Sequence, residues 1–593
     1  MALLWYSKWK SRRKVDGKSM RRIAKMLNPG RMFWLFIFIV VQAVSMLAIP
    51  TLAADIIDNG VATGDINYIY RYGALMVGVA LIGFTGSLLN VYFSATESQA
   101  VGAKLREALF DKIMFFSNEE IDHFGTSTLM TRTTSDVLQI QQVGMFAIRF
   151  LLLDPLRIII AATLAFMREP QLSFVFLIIV PILLVLIVLI LRKVSPLFRS
   201  LQLKTDRLNR VFREGLTGIR VIRAFDREDY EEERFDEANK DYADTSIYAH
   251  IYMALLNPIM ILLISATSIM IIWFGAELIS VDQMAVGNLI AFTSYAANIL
   301  MGIMFLSLII TMLPRAQVAV ERIFEVLDTP NTITDDKHSV SLEENVGDIT
   351  LEFEEVNFRF PGAEELALED ISFTLEDGKT LAVIGGTGSG KSTLANLIPR
   401  LYDIESGSIE INGINIENMY QSELRRLIGF ATQNAVLFSG TIRENLRYGN
   451  REATDEDLWH ALEVAQGYDF VANLPGQLDA KVEQGGSNFS GGQRQRLSIA
   501  RALVTDARIL VFDDSFSALD FKTDAKLRAA LKPETEDKAV LIVAQRISTV
   551  VDADEIIVLD NGAIVGQGTH EELKENNTVY QEIIDSQMKG EDI

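Results

Sequence analysis

The sequence contains no cysteine and few histidines, five among 593 residues. The absence of cysteine excludes disulfide bonds, zinc sites with cysteine ligands, iron–sulfur clusters and thiol nucleophiles. The chain has no excess of positive charge, because it contains 55 Lys and Arg and 77 Asp and Glu, which gives a net charge of −22. So acidic a chain is not expected to bind nucleic acid. Hydrophobic residues make up 49 % of the chain, which predicts a packed or membrane-embedded protein of several domains.

The acidic excess is confined to the last part of the chain. Residues 1–330 carry 32 basic and 30 acidic side chains, whereas residues 331–593 carry 23 and 47. Long apolar runs occupy the first part, and a helix of about 20 apolar residues spans a bilayer core of about 30 Å. Five clear runs are predicted to be spans: 32–54, 72–96, 174–191, 245–276 and 283–314.

A sixth predicted span, 145–167, contains the charged residues Arg149, Asp154 and Arg157. It is included because an Arg-Glu-Pro turn at 168–170 leads directly into the next span, and because an even number of spans keeps both chain ends on one side. Charges inside a span are costly and usually pair or face a cavity. Asp154 and Arg157 are three residues apart on one helix face, which predicts an ion pair between them.

The distribution of Lys and Arg predicts a cytoplasmic N-terminus. Residues 1–31 contain ten basic residues and one acidic residue, Asp16. The short connections 55–67 and 277–286 contain acidic residues without basic ones and are predicted to be external. The long connections 97–144 and 192–244 are predicted to be internal, and residues 19–29 are predicted to form a basic amphipathic helix on the inner membrane surface.

The last part of the chain has the pattern of an α/β nucleotide-binding domain. After a helix at 316–328 and a polar linker at 329–348, short β-rich runs alternate with helices. The strand 381–384 leads into Gly-Gly-Thr-Gly-Ser-Gly-Lys-Ser-Thr at 385–393, a G-x-x-x-x-G-K-[ST] loop before a helix. Backbone N–H groups of such a loop hold phosphates. Lys391 is predicted to reach the β- and γ-phosphates, and the Ser392 hydroxyl to ligate Mg²⁺.

Two further motifs follow the phosphate loop. A strand at 508–512 ends at Asp513 and Asp514, and Asp513 is placed to hold Mg²⁺. Ser-Gly-Gly-Gln at 490–493 precedes a basic helix. Alone this motif predicts only a turn before a helix. Its position between the phosphate loop and Asp513 makes it a far more specific signal than the four residues by themselves.

With these motifs, the chain resembles the ATP-binding cassette (ABC) exporters over nearly its whole length. The resemblance implies a cytoplasmic N-terminus with an amphipathic elbow helix at 1–31 and a transmembrane domain of six helices at 32–328. It implies a linker at 329–348 and an α/β P-loop nucleotide-binding domain at 349–593. Residues 124–136 and 214–225 resemble the two cytoplasmic coupling segments of the family.

The resemblance implies ATP and Mg²⁺ as ligands. Phe360 stands where an aromatic ring stacks on adenine, Gln433 where a glutamine contacts Mg²⁺ and the γ-phosphate, and Asp520 in the loop that faces a partner subunit. The residues assigned to ATP binding are Phe360, Gly385, Gly386, Thr387, Gly388, Ser389, Gly390, Lys391, Ser392, Thr393, Gln433, Phe489, Ser490, Gly491, Gly492, Gln493 and Asp520. Those assigned to Mg²⁺ are Ser392, Gln433 and Asp513, and those assigned to catalysis are Asp514, Gln545, Gln433 and Lys391.

The sequence departs from the family pattern at two catalytic positions. Asp514 replaces the glutamate that polarises the attacking water. The side chain is shorter by one methylene, which withdraws the carboxylate by roughly 1–1.5 Å, and a misplacement of ~1 Å can lower the reaction rate about 10²-fold. Gln545 replaces a histidine, and an amide cannot carry a proton or a positive charge near neutral pH. We therefore expect good ATP binding but impaired hydrolysis at this chain's own site.

In this family two cassettes pair head to tail, so that each ATP lies between one chain's phosphate loop and the other's signature. A homodimer would contain two weakened sites, and we therefore expect a heterodimer with a second half-transporter. The expected function is ATP-driven efflux of hydrophobic or amphipathic small molecules, including drugs, across a bacterial plasma (inner) membrane, with both termini cytoplasmic. A lipid or lipopeptide flippase, a homodimeric exporter with slow hydrolysis and, in a different class, an ATP-gated regulatory membrane protein would also fit the sequence.

Overall fold

The structure is a computed structural model, which describes residues 17–335, 340 and 348–591. The predictions for residues 1–16 and for most of the linker therefore lie outside the described residues. The chain divides into two compact units. The first contains the described residues up to Met114 together with Ser127–Thr329, and the second contains Phe115–Thr126 together with the described residues from Pro330 onward.

The first unit contains helices and no strand among its described residues. Its helices, together with one short helix of the second unit, are α1 (Gly17–Met26), α2 (Pro29–Ile56), α3 (Ile66–Met114), α4 (Asn118–Phe124, in the second unit), α5 (Thr126–Thr131), α6 (Val137–Arg168), α7 (Pro170–Thr217), α8 (Ile219–Ala224), α9 (Glu228–Ala254), α10 (Leu256–Ser280) and α11 (Val286–Asp328). Six helical stretches are long and apolar enough to cross a membrane, which confirms the six predicted spans.

Several of these helices continue well beyond the length of a span. Helix α3 has 49 residues and α7 has 48, so that each is about 70 Å long at 1.5 Å per residue. That is more than twice the thickness of a bilayer core. Much of the predicted internal connections 97–144 and 192–244 is therefore continuous helix rather than loop.

Local sequence sets the start of the first span. Pro29 lies in its first turn, and the Asn28 side chain caps the helix by accepting hydrogen bonds from the N–H groups of Gly30 and Arg31. The backbone N–H of Asn28 donates to the buried Glu97 carboxylate, 2.9 Å away, and Arg31 also donates to Glu97, at 3.0 Å. These contacts join the start of α2 to the middle of α3.

Two of the charged residues of the third span, Asp154 and Arg157, are buried. Asp154 is fully buried and Arg157 is 4 % exposed, and their Nη2 and Oδ1 atoms are 2.8 Å apart. The predicted ion pair is confirmed, although the contact lacks the alignment of a hydrogen bond. Because the surroundings are apolar, each charge depends on the other for compensation.

Asp154→Ala should destabilise the membrane domain strongly, because it leaves the Arg157 guanidinium buried and unpaired. Removing one partner of a buried pair costs ~3–5 kcal/mol. Thermal unfolding of the purified chain in detergent should show a lower midpoint than for native protein. Glu277→Ala, which removes an exposed carboxylate near the end of α10, should leave the midpoint unchanged. Asp154→Leu combined with Arg157→Met removes both charges and should recover most of the loss. An unchanged midpoint for Asp154→Ala would contradict this interpretation.

The second unit contains the strands, all of which come after the linker. They are β1 (Thr350–Phe358), β2 (Leu368–Glu376), β3 (Thr380–Gly385), β4 (Ser406–Ile411), β5 (Ile414–Asn415), β6 (Ile428–Ala431), β7 (Gly440–Thr441), β8 (Lys481–Val482), β9 (Ile509–Asp513), β10 (Ala539–Val543), β11 (Glu555–Asp560) and β12 (Ala563–Gly568). The described strands form a six-stranded sheet in the order β12-β11-β3-β10-β9-β6, a four-stranded sheet in the order β2-β1-β4-β5 and the small pair β7-β8.

Helices surround these sheets. They are α12 (Lys391–Leu397), α13 (Gln421–Arg426), α14 (Ile442–Leu446), α15 (Asp455–Val464), α16 (Tyr468–Ala472), α17 (Gly491–Leu503), α18 (Phe521–Glu534), α19 (Ile547–Val550), α20 (His570–Asn576) and α21 (Thr578–Glu591). The strands β3, β10, β9 and β6 pair in parallel, as do β3 and β11, and their residues are almost wholly buried. The α/β fold class predicted for this part of the chain is confirmed.

One boundary differs from the linear division expected from the sequence. Residues Phe115–Thr126, which include α4, belong to the second unit although they lie between two spans in the chain. Asn331 donates to the Phe115 carbonyl at 2.8 Å, and the Thr332 N–H donates to Glu120 at 2.8 Å. No local pattern in the sequence indicates this grouping, because the contacts join residues more than 200 positions apart.

Candidate nucleotide site

The phosphate loop joins the carboxyl end of β3 to the start of α12. Gly390 has φ of 100° and an added Cβ would lie 2.9 Å from the Ala367 carbonyl oxygen, so that the loop requires glycine there. Lys391 Nζ donates to the carbonyls of Gly385 and Gly386, at 2.9 and 2.6 Å. Burial lowers the pKa of Lys391, whereas the negative charges of Asp514 and Asp513 act in the opposite direction and raise it.

A cavity of about 520 Å³ opens in front of the loop. Its lining residues are Phe360, Glu365, Leu366, Ala367, Thr387, Gly388, Ser389, Gly390, Lys391, Ser392, Thr393, Gln433, Asp514, Val543, Gln545, Asn561 and Gly562. A Cβ added to Gly386 or Gly388 would meet no atom within 4 Å, so that open space lies beside the loop backbone. This space, the loop N–H groups and one buried ammonium fit a polyphosphate chain.

A hydroxyl and a carboxylate meet at the position predicted for Mg²⁺. Ser392 Oγ donates to Asp513 Oδ1 at 2.8 Å, although the two residues are 121 positions apart. Burial raises the pKa of Asp513, and the hydrogen bond from Ser392 opposes that rise. Both groups supply the hard oxygen ligands that Mg²⁺ prefers. The donor set therefore fits the metal that the resemblance implies.

The Asp514 carboxylate is held by two amide side chains. Gln433 Nε2 donates to Asp514 Oδ2 at 3.2 Å, and Gln545 Nε2 donates to the same oxygen at 3.0 Å. These three residues follow β6, β9 and β10, neighbouring parallel strands whose carboxyl ends meet at one edge of the sheet. The Asp514 backbone has φ of 47°, and its N–H donates to the Val543 carbonyl at 2.9 Å. Asp514 is thus fixed by its backbone and by both neighbouring amides.

Phe360 presents an aromatic ring at the rim of the cavity. It is 39 % exposed, and its ring lies edge-on to Phe358 and Tyr402, with centroids 4.9 and 5.6 Å away. Phe358 and Tyr402 thus hold the ring that is predicted to stack on adenine, and part of this ring remains exposed. An aromatic ring held in this way can stack on a planar base.

Comparison with known proteins identifies the family. Residues 32–304 match the family model of the ABC transporter transmembrane region, and residues 368–517 match that of the ABC transporter. An uncharacterized ABC transporter ATP-binding protein of Mycobacterium tuberculosis is 42 % identical over 92 % of this chain and 94 % of that protein. The chain belongs to the ABC transporters.

Two other comparisons give a further relative and a solved structure with the same fold. The ATP-dependent lipid A-core flippase of Pseudomonas aeruginosa is 32 % identical over 87 % of this chain and 85 % of that protein. A bacterial Atm1-family ABC exporter, solved with ATP bound, shares the fold with a TM-score of 0.78 over 94 % of this chain and 98 % of that chain, at 23 % identity. The chain therefore has the fold of an ABC exporter, and its ABC domain implies an ATP-hydrolysing transporter.

The signature residues of this ABC transporter lie outside the cavity. Ser490 caps α17, where its Oγ accepts the N–H of Gln493 at 3.3 Å, and Phe489 is 6 % exposed. Asp520 caps α18 by accepting from the N–H of Thr523 at 3.0 Å. The structure thus brings Phe360, the phosphate loop, Gln433, Asp514 and Gln545 to one cavity, with Asp513 hydrogen-bonded to Ser392 beside it. Residues 489–493 and Asp520 are not among the residues that line this cavity.

Sequence reasoning missed part of the cavity wall. Asn561 and Gly562, in the turn between β11 and β12, line the cavity, and the Gly562 N–H donates to the Ser389 carbonyl at 3.2 Å. An Asn-Gly pair between two β-rich runs is a hairpin signal, so the turn was predictable. Its place behind the phosphate loop was not, because that depends on the pairing of β11 with β3.

Lys391→Ala should weaken ATP binding strongly, because it removes the buried ammonium beside the phosphate space. Hydrogen bonds from a charged group contribute ~1.5–3 kcal/mol, which corresponds to a loss of about 10- to 150-fold in affinity. The measurement is equilibrium binding of a fluorescent ATP analogue to the full-length chain. Lys379→Ala, an exposed lysine of the same domain, should retain native affinity. Equal affinities of the Lys391→Ala and native proteins would contradict the assignment.

Proposed function

We propose that the chain is the degenerate-site subunit of a heterodimeric ABC exporter that extrudes hydrophobic or amphipathic compounds. The observation that carries the proposal is the shared hydrogen bonding of Asp514 Oδ2 by Gln433 and Gln545. This arrangement favours retention of ATP at the chain's own phosphate loop over its hydrolysis.

The chemistry of the two amides explains the weak hydrolysis. A carboxylate that activates water must accept a proton from it, and both amides donate to Asp514 Oδ2, which occupies acceptor positions of this carboxylate. Gln545 is neutral and cannot share a proton as an imidazole does. The short Asp514 side chain is in addition anchored by its own backbone, so it cannot easily advance toward a bound water.

The binding functions of the site are intact. Phe360 would stack on adenine, the phosphate loop with Lys391 would hold the phosphates, and Ser392, Asp513 and Gln433 would hold Mg²⁺. When bound, Mg²⁺ neutralises charge on the phosphate oxygens. The signature residues 489–493 and Asp520, which lie outside the chain's own cavity, would contribute to the ATP site of a partner subunit.

A heterodimer follows from this division of roles. ABC exporters function as dimers, and a homodimer of this chain would contain two sites with the Asp514 and Gln545 substitutions. A partner that carries a glutamate and a histidine at these positions would provide one competent site. ATP binding would then close the two cassettes, and hydrolysis at the competent site would reopen them. We place the complex in a bacterial plasma (inner) membrane with both termini cytoplasmic.

A lipid or lipopeptide flippase is the second candidate. It is favoured by the similarity to the lipid A-core flippases of two Pseudomonas species, at 32 and 34 % identity. Stimulation of ATPase activity by lipids rather than by hydrophobic dyes would favour it. Slow turnover of the chain without a partner would instead indicate a homodimeric exporter, and ATP binding without uphill transport would indicate an ATP-gated regulatory membrane protein.

The heterodimer can be tested by purification. We expect that a tagged full-length chain, isolated from its native membrane, carries a second half-transporter in equal amount, with glutamate and histidine at the two catalytic positions. Intact mass measurement of the complex gives both chains and their ratio. A homodimer that sustains rapid ATP-driven transport by itself would contradict the proposal.

The catalytic defect can be tested by restoring the family residues. Asp514→Glu combined with Gln545→His should raise the rate of ATP hydrolysis at this site by about 10-fold or more, because a carboxylate misplaced by ~1 Å can lower the reaction rate about 10²-fold. The assay uses the paired complex with the partner's catalytic glutamate removed, so that only this site turns over. Asp506→Glu with Gln477→His, the same changes at exposed positions, should have no effect. Unchanged hydrolysis in the restored complex would show that the defect lies elsewhere.

A further inference from the structure

Helix α4 belongs to the same compact unit as the cassette, and its N-terminal end is fixed near the linker. A capping box joins Ser117 and Glu120, and Glu120 is 3 % exposed. Glu120 also accepts the Thr332 N–H at 2.8 Å. Burial raises the pKa of Glu120, but the hydrogen bonds from Ser117 and Thr332 outweigh it and lower the pKa overall. These contacts hold α4 to the start of the linker rather than to the nucleotide site.

A second contact joins α4 to the cassette itself. The Tyr402 hydroxyl donates to Asp122 Oδ2 at 2.7 Å, across 280 positions of sequence. Burial, together with the hydrogen bond to Asp122 and the charge of that residue, raises the pKa of Tyr402 to about 12. The hydroxyl therefore stays protonated at physiological pH and acts as a donor to Asp122.

Tyr402 lies close to two parts of the nucleotide site. It follows the phosphate-loop helix α12 by five residues, and the turn between them is held by Arg400, which donates to Asp403 at 2.7 Å and to the Glu417 carbonyl at 3.0 Å. Its ring lies edge-on to Phe360 at 5.6 Å, with an angle of 86° between the planes. It also packs at 5.6 Å against Phe358, which is fully buried at the end of β1.

We propose that Tyr402 is a positioning residue that transmits adenine binding at Phe360 to helix α4. The inference rests on the proposed binding of ATP at the phosphate loop. A base that stacks on the open side of Phe360 restricts that ring, and the ring edge restricts Tyr402. Tyr402 then holds Asp122 through its hydroxyl, so that α4 becomes more firmly attached when the adenine site is filled. By thermodynamic reciprocity, attachment of α4 favours the stacked arrangement of Phe360.

Hydrogen exchange of the full-length chain in lipid nanodiscs tests this link. Mg²⁺ and a non-hydrolysable ATP analogue should slow the amide exchange of peptide 115–126 by about 5-fold or more, in the lower range of allosteric coupling. In Tyr402→Phe, which retains the ring and loses the hydroxyl, the analogue should slow that peptide less than about 2-fold. Peptide 385–393 reports nucleotide binding itself and should be protected in both proteins.

Matched variants separate the link from general loss of structure. Asp122→Asn retains an oxygen acceptor and should keep the ATP-induced protection, whereas Asp122→Ala should lose it. Combining Asp122→Ala with Tyr402→Phe should add nothing further, because both remove the same bond. Tyr468→Phe, at an exposed tyrosine that packs on Trp459, should behave as native. Because Tyr402→Phe and Asp122→Ala also remove this bond in the absence of nucleotide, protection of peptide 115–126 is compared with and without nucleotide within each variant.

The outcomes distinguish this inference from the proposed function. Protection of 385–393 without ATP-dependent protection of 115–126 in the native chain, or full protection of 115–126 in Tyr402→Phe, would overturn the role of Tyr402 and leave ATP binding intact. No protection of 385–393 in the native chain would overturn both. Loss of helix protection in Tyr402→Phe and Asp122→Ala, with retention in Asp122→Asn and Tyr468→Phe, supports the inference.

Discussion

One carboxylate oxygen, Oδ2 of Asp514, joins three of the side chains to which catalysis is assigned in the cassette. It accepts hydrogen bonds from the amides of Gln433 and Gln545, which follow the strands on either side of β9. A longer carboxylate or a histidine at these positions would change that geometry. The phosphate loop, with its backbone N–H groups and the buried ammonium of Lys391, fits a polyphosphate chain. The groups assigned to binding and those assigned to hydrolysis are thus different side chains of one site, and this difference is the physical reason to propose an unequal pair of subunits.

Much of this organisation was predictable because it depends on local sequence. Span length follows from the thickness of the bilayer core, and the phosphate loop follows from a glycine-rich turn between a strand and a helix. The ion pair of Asp154 and Arg157 follows from helical spacing. Within the cassette, Ser392 and Asp513 were each predicted to bind Mg²⁺, and their contact confirms that the motifs converge, although the metal itself stays a prediction.

The remaining features depend on contacts between distant parts of the chain. Gln433 and Asp514 are 81 positions apart and Asp514 and Gln545 are 31 apart, so only the order of the parallel strands brings them to one oxygen. The same is true of Tyr402 and Asp122, and of the grouping of residues 115–126 with the cassette. Hydrophobic periodicity identifies elements but carries no information on which strand lies beside which. The membrane part likewise shows an exporter fold without indicating which compounds it moves.

The most direct measurement of the central claim is the state of the nucleotide bound to the working complex. The exporter, purified with its partner, is allowed to hydrolyse labelled ATP, separated rapidly from free nucleotide, quenched in acid and analysed for ATP and ADP. If this chain's site binds without hydrolysing, about one intact ATP per pair of chains should remain bound through many turnovers, and Lys391→Ala should abolish it. Rapid conversion of all bound nucleotide to ADP at both sites would contradict the proposed function.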